Sequence, residues 1–211
     1  MSKDSKAKIV AKLTNAGLHK SEIPYPEITD AKDIFYPAVT DSVQLFKDQF
    51  TALGGIFYDI KSHSELFESI NTHCENIDND KIFCADTKLV HLLRNAGFDR
   101  KLNGSLNIPE ASLCISSCVA LIARTGSILF SSAQAEGRSH GIAPDIQIVI
   151  AFKNQIVFNV AEALEMCTKK GAQLPSMISL TSGASRTADI EKTLVMGAHG
   201  PKELVIFLLD F

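Results

Sequence analysis

Two short segments carry the hydroxyls, glycines and cations that anion chemistry needs. Arg124, Thr125, Gly126 and Ser127 form a tight turn ahead of an apolar run. Ser182, Gly183, Ser185, Arg186 and Thr187 lie in a polar stretch that runs from an apolar segment into a helical pattern. Side-chain hydroxyls, a glycine that permits close approach and free backbone N–H groups are the parts of an anion cradle. A planar arginine fork adds two parallel hydrogen bonds to a carboxylate or phosphate. The second segment supports two readings. Asp189 and Glu191 follow it and complement the positive end of a helix starting near Thr187, where they repel an anion unless Arg186 offsets them. Ser185 or Thr187 is then a helix N-cap as readily as a ligand contact.

Two further loops hold groups of the same kind. Arg138 stands in Gly-Arg-Ser-His-Gly at 137–141, suited to carboxylate or phosphate recognition, with simple surface solvation as the alternative. His199 stands in Gly-Ala-His-Gly-Pro at 197–201, where it is a general base, an anion contact or an anchor for its own loop. Glu191 is the candidate acid or base. It cannot act jointly with Asp189, because residues two apart on a helix point in different directions. No Gly-x-Gly-x-x-Gly, Walker A lysine or Gly-x-Ser-x-Gly pattern is present, so the common nucleotide cradles and the hydrolase elbow lack support.

The five cysteines (Cys74, Cys84, Cys114, Cys118 and Cys167) are an odd number without an export signal, so reduced thiols are expected. Cys114 and Cys118 have no second pair with which to complete a zinc or iron–sulfur ligand set, and the expectation is that this chain binds no metal. A net charge of −3 excludes the broad basic face that nucleic-acid binding requires. The N-terminal lysines surround no apolar centre of signal-peptide length, and no apolar run approaches a membrane span, so a cytoplasmic protein is expected.

These groups need a scaffold, and the chain spells one of alternating helices and strands. Helical spacing appears over 5–16, 41–53, 87–96, 159–170 and 187–196, and a further helix bears Leu66, Phe67 and Ile70. Short apolar or alternating runs at 56–60, 81–85, 111–116, 127–131, 146–152, 177–180 and 204–209 read as strands. Ser62 and Glu65 have the spacing of a capping box. Pro24, Pro26 and Pro37 enforce an extended connector. The resulting expectation is a helical N-terminal arm with its connector over 1–37, and an α/β domain over 38–211. Its sheet is mainly parallel or mixed and covered by helices.

Ser-Gly-Ala-Ser-Arg-Thr-Ala-Asp-Ile-Glu at 182–191, followed by Val-Met-Gly-Ala-His-Gly-Pro-Lys-Glu-Leu at 195–204, closely resembles the signature of the lactate-utilisation (LUD) domain. Ala-Leu-Ile-Ala-Arg-Thr-Gly-Ser-Ile-Leu at 120–129 resembles that family's second motif. The likeness is to the lactate utilisation protein C family. It implies a fold like that of the ribose-5-phosphate isomerase, glucosamine-6-phosphate deaminase and CoA-transferase superfamily. It also implies two partners in L-lactate oxidation, a cysteine-rich oxidoreductase subunit and an iron–sulfur subunit, with the clusters carried by them. Many members have Glu where this chain has Arg124, and Ala184 replaces a frequent Pro. A cation at 124 suits a carboxylate such as lactate or pyruvate.

Three functions follow as expectations. The first is a non-redox accessory subunit of a lactate-oxidising iron–sulfur system, with a small carboxylate or other anion bound by the residues named above. The second is a stand-alone enzyme acting on a sugar phosphate or CoA thioester, which requires a pocket carboxylate such as Glu191. The third is a carboxylate sensor without catalysis.

Overall fold

An unbroken apolar run such as Leu204 to Leu209 is stable as a strand covered on both faces. In the computed structural model it forms β11 (Glu203–Leu209), flanked by β1 (Ile56–Ile60) and β6 (Ile146–Phe152). β3 (Leu113–Ser116) and β2 (Ile82–Phe83) complete a sheet of order β1-β11-β6-β3-β2, in which every pairing is parallel. The structure describes residues 3–16, 41–106, 108–138, 144–168, 174–187, 195–197 and 200–211. The chain divides into two units, Met1–Pro37 and Ala38–Phe211. In the first, α1 (Lys3–Ala16) pairs Asp4 with Lys8 at 2.9 Å and leaves Ile9, Val10 and Leu13 exposed.

In the second unit, side chains alternate across each strand, so one sheet builds two cores. Ile115, Ile148, Ile150, Val205 and Phe207 face helices α3 (His63–Cys74) and α4 (Thr87–Asn95), which contribute Leu66, Ile70, Leu89 and Leu93. Val149, Ala151, Leu204, Ile206 and Leu208 face the other way. They pack on Phe46 and Phe50 of α2 (Ser42–Ala52) and on a second sheet, β7 (Ile156–Val157), β4 (Ala120–Ile122), β5 (Ser127–Ser131) and β8 (Ile178–Thr181), in that order. Ala120, Ile122 and Leu129 of this sheet meet Ala163 of α5 (Val160–Cys167) on its far side. The result is a mixed α/β architecture with a parallel main sheet.

Polar residues punctuate the helices as their chemistry requires. Asp41, Ser62, Asp86 and Asn159 each accept a backbone N–H of the first turn that follows them. The box at Ser62 is displaced by one residue: Glu65 accepts from the Lys61 N–H at 2.6 Å. Strand β4 arises from a segment whose three residues are too few to show a period.

The helix expected over 187–196 is corrected at both ends. Arg186–Thr187 forms β9 and Val195–Met196 forms β10, paired antiparallel with Val195 opposite Thr187. Thr187 is thus the last residue of a strand, and residues 188–194 lie outside the described residues. The β-branched Thr187 and Val195 suit the pleat. The turn ahead of β9 is held from outside, by the Ser185 N–H donating to the Pro201 carbonyl and the Gly197 N–H to the Ser185 carbonyl, both at 2.9 Å. At the two ends of the segment, ladder pairing overrides the local helical spacing.

Candidate functional site

β5 and β8 pair antiparallel, with Ile128 opposite Thr181, so the turn before β5 and the turn after β8 emerge side by side. Their hydroxyls form one chain. The Oγ of the buried Ser127 lies 2.8 Å from Thr125 Oγ1 and 2.7 Å from Ser182 Oγ.

The glycines of both turns meet the end of α2. Gly126 has φ +58°, and a Cβ there stands 2.6 Å from Gln49 C and Phe50 N. Gly183 has φ +80°, and a Cβ there stands 2.5 Å from the Leu53 carbonyl oxygen. These positions need glycine because a helix end is seated on them, in a backbone conformation that glycine alone adopts readily. Arg186 Nη2 donates to the same Leu53 carbonyl and so satisfies an acceptor left over at the helix C-terminus.

In front of this junction lies an open cleft of about 310 Å3 lined by Leu180, Thr181, Ser182, Gly183, Ser185, Arg186, Gly200 and Pro201. It lies between the carboxyl end of β8 and the turn that leads into β11, on the amino side of the main sheet. Of the residues singled out in the sequence, Ser182, Gly183, Ser185 and Arg186 line it, while Thr125, Gly126 and Ser127 stand behind it. Thr187 follows in β9. Arg124 is exposed, and its backbone N–H donates to the Phe158 carbonyl at 3.1 Å, which ties it toward the β7 side of the second sheet. Arg138 is held elsewhere. Its Nε donates to Ser176 Oγ at 3.0 Å, at the opposite end of β8, beside a separate depression lined by Ser132, Ala133, Leu174, Pro175 and Ser176. Glu191 and His199 lie outside the described residues.

A second polar cluster, unforeseen in the sequence, occupies the carboxyl ends of β2 and β3. Asp86 Oδ1 accepts the Lys88 N–H at 2.9 Å and the Leu89 N–H at 3.4 Å, while Oδ2 accepts from Ser117 Oγ at 3.2 Å. Ser117 Oγ in turn accepts from Gln134 Nε2 at 3.0 Å. Glu136, two residues on, is only 5% exposed. Burial pushes its carboxyl up to about 7, the negative charge of Asp86 adds to the rise, and a hydrogen bond from its own backbone N–H opposes it. Gln147, wholly buried in β6, donates from Nε2 to Ser116 Oγ at 3.3 Å. A lone Gln inside the apolar run 146–152 was a signal that a buried polar site lay close by. Nothing local marks Glu136. We expect Asp86→Ala to cost about 1–2 kcal/mol through the lost cap, with Asp86→Asn close to wild type, read from urea unfolding midpoints.

The cysteines are dispersed. Cys74 and Cys84 belong to one core cluster, while Cys114 and Cys118 belong to two others. Burial pushes the thiols of Cys84 and Cys118 up to about 12. Among the described residues, no three His, Cys, Asp or Glu side chains are grouped as a metal site, and no helix is long and apolar enough to cross a membrane.

Comparison with known proteins places this geometry in a family. The LUD domain profile matches residues 98–209, which include the second sheet, the cleft and all of β11. YkgG of Escherichia coli, itself uncharacterised, is 29% identical over 168 residues, spanning 72% of each chain. Lactate utilization protein C of Bacillus pumilus is 37% identical over 92 residues, covering 42% of this chain and 38% of that protein. The protein of the same name from Oceanobacillus iheyensis is 24% identical over 190 residues, covering 71% of this chain and 82% of that protein. A crystal structure of a DUF162 family protein from Deinococcus radiodurans superposes with a TM-score of 0.57 at 19% identity, over 82% of this chain and all of that one, and shares the fold. The chain belongs to the LUD domain family.

Proposed function

We propose that this protein serves lactate utilisation as a cytoplasmic, non-redox subunit that holds a small carboxylate or phosphate in the cleft of Ser182, Ser185 and Arg186. The observation that carries the reading is the junction itself. Two turns far apart in sequence are joined through Ser127 and Ser182, and the second presents hydroxyls and a guanidinium at one open hollow while the first stands behind it. Relatives named lactate utilization protein C supply the metabolic context.

In this account Arg186 keeps one N–H on Leu53 and offers the rest of its fork to the ligand. Ser182 and Ser185 add hydroxyl donors. Arg124, Thr125 and Ser127 support the turn, and Arg138 acts away from the cleft. His199, next in sequence to Gly200 of the cleft, is assigned an anion contact, and Glu191 an acid or base role. Buried, protonated thiols are poor metal ligands, which supports assigning the iron–sulfur clusters to partners, a cysteine-rich oxidoreductase subunit and an iron–sulfur subunit.

The test is purification from native extract, with an iron assay and an optical spectrum of what travels with the chain. The expected result is a cluster-bearing partner in the complex, and no lactate-dependent dye reduction by the isolated chain. Dye reduction by the isolated chain contradicts the reading.

A further inference from the structure

We propose that residues 132–138 form a proton-controlled latch, closed over Asp86 and the ends of β2 and β3 while Glu136 carries a proton and released when it ionises. The loop is anchored at its start, where the Ser132 N–H donates to the Met177 carbonyl at 2.9 Å and Ser132 Oγ accepts the Met177 N–H at 3.1 Å. Its first turn is tied to β5, with the Ser131 N–H donating to Gln134 Oε1 at 2.9 Å and the Gln134 N–H to the Ser131 carbonyl at 3.0 Å. Gln134 Nε2 then reaches Ser117, which is bound to Asp86. Gly137, with φ +63°, turns the chain back to Arg138, whose Nε is bound to Ser176. Glu136, between Gln134 and Gly137 in this loop, is held with only 5% of its surface exposed.

The groups that face it come from three directions. Asp86 caps α4 and contributes negative charge, and the thiols of Cys84, after β2, and Cys114, in β3, interact with it electrostatically. Both thiols are themselves pushed up by burial, so they hold their protons at neutral pH. Neutral Glu136 suits this surrounding; a second carboxylate there is desolvated and repelled by Asp86. The sign follows from linkage. The folded carboxyl holds its proton to higher pH than the unfolded one, so its contribution is fully present at pH below the ordinary carboxylate range and is lost as pH rises through about 7. Opening the loop exposes the carboxylate to water and removes the penalty locally, without unfolding the sheet.

Hydrogen exchange by mass spectrometry, corrected for intrinsic rates, reads this on the full chain. Between pH 6 and 8 the ionised fraction of a group titrating near 7 rises from about a tenth to about nine-tenths. Exchange in residues 132–138 is therefore expected to increase about tenfold while β11 stays protected. In Glu136→Gln, which stays neutral, the loop is expected to remain protected at both pH values. Wild-type loop protection that does not change with pH overturns the proposal, as does a Glu136→Gln loop that opens in parallel with wild type. Should the variant fail to fold, the side-chain carboxyl carbon of Glu136 is titrated by NMR in the wild type. A midpoint near 7, accompanied by shifts at Gln134 and Ser117, supports the latch. A midpoint in the ordinary carboxylate range ends it. The latch stands independently of what the cleft binds.

Discussion

Phe50→Ala is expected to lower the unfolding free energy by about 3–5 kcal/mol, the range for deleting a buried aromatic. Phe50 is fully buried between the two sheets and stacks on Phe46 with ring centroids 5.5 Å apart. Its ring also fills the space where a Cβ on Gly55 would stand. Neighbours built on two sheets cannot collapse into the hole, so transfer and cavity terms add. The effect reaches the cleft because the backbone at Gln49 and Phe50 is the surface on which Gly126 rests. Phe50→Leu, which keeps most of the volume, is expected to lose less than half as much. Urea unfolding followed by circular dichroism measures both, and a loss below about 1 kcal/mol for the alanine variant contradicts the role given to α2.

Gly183→Ala is the second large effect. A left-handed conformation costs a non-glycine residue about 1–2 kcal/mol. Overpacking against a rigid group adds typically about 1–3 kcal/mol. The atom opposed to the new methyl is the Leu53 carbonyl oxygen, part of the backbone and unable to swing aside. The sum is roughly 2–5 kcal/mol. Gly137 is the internal control. Its φ is +63°, but a Cβ there meets nothing within 4 Å, so Gly137→Ala is expected to cost only the conformational part, about 1–2 kcal/mol. Equal losses at the two positions contradict the close seating of α2 on the turn.

These two effects show where single-sequence reading succeeds. Apolar runs such as 56–60, 127–131 and 146–152 are legible because a buried strand admits little else, and Asp41, Ser62 and Asn159 announce their helices through cap chemistry. The turns at Gly126 and Gly183 were legible as special, and their side-by-side position follows from the β5–β8 ladder. The reason for each glycine was not legible. It depends on which backbone arrives from elsewhere in the fold, and that is the end of α2.

Other features were invisible for the same reason. The segment around 187–196 has helical spacing, yet its ends are pinned as strands by each other, with Val195 opposite Thr187 and Met196 opposite Arg186. Arg138 was grouped with Arg186 by chemical type, whereas the length of β8 separates them. Glu136 stands beside a glycine with no local pattern that marks it. The cluster beside it, Gln134 with Ser117 and Asp86, joins residues far apart in the sequence.

Calorimetric titration of the full chain with L-lactate, pyruvate and inorganic phosphate, for wild type and Arg186→Lys, tests the cleft most directly. Replacing the fork by a single ammonium group gives up a charge-assisted hydrogen bond of about 1.5–3 kcal/mol, so affinity for the bound anion is expected to fall about tenfold or more. No heat with any of the three anions, or equal affinity in the two proteins, contradicts an anion site built on Ser182, Ser185 and Arg186.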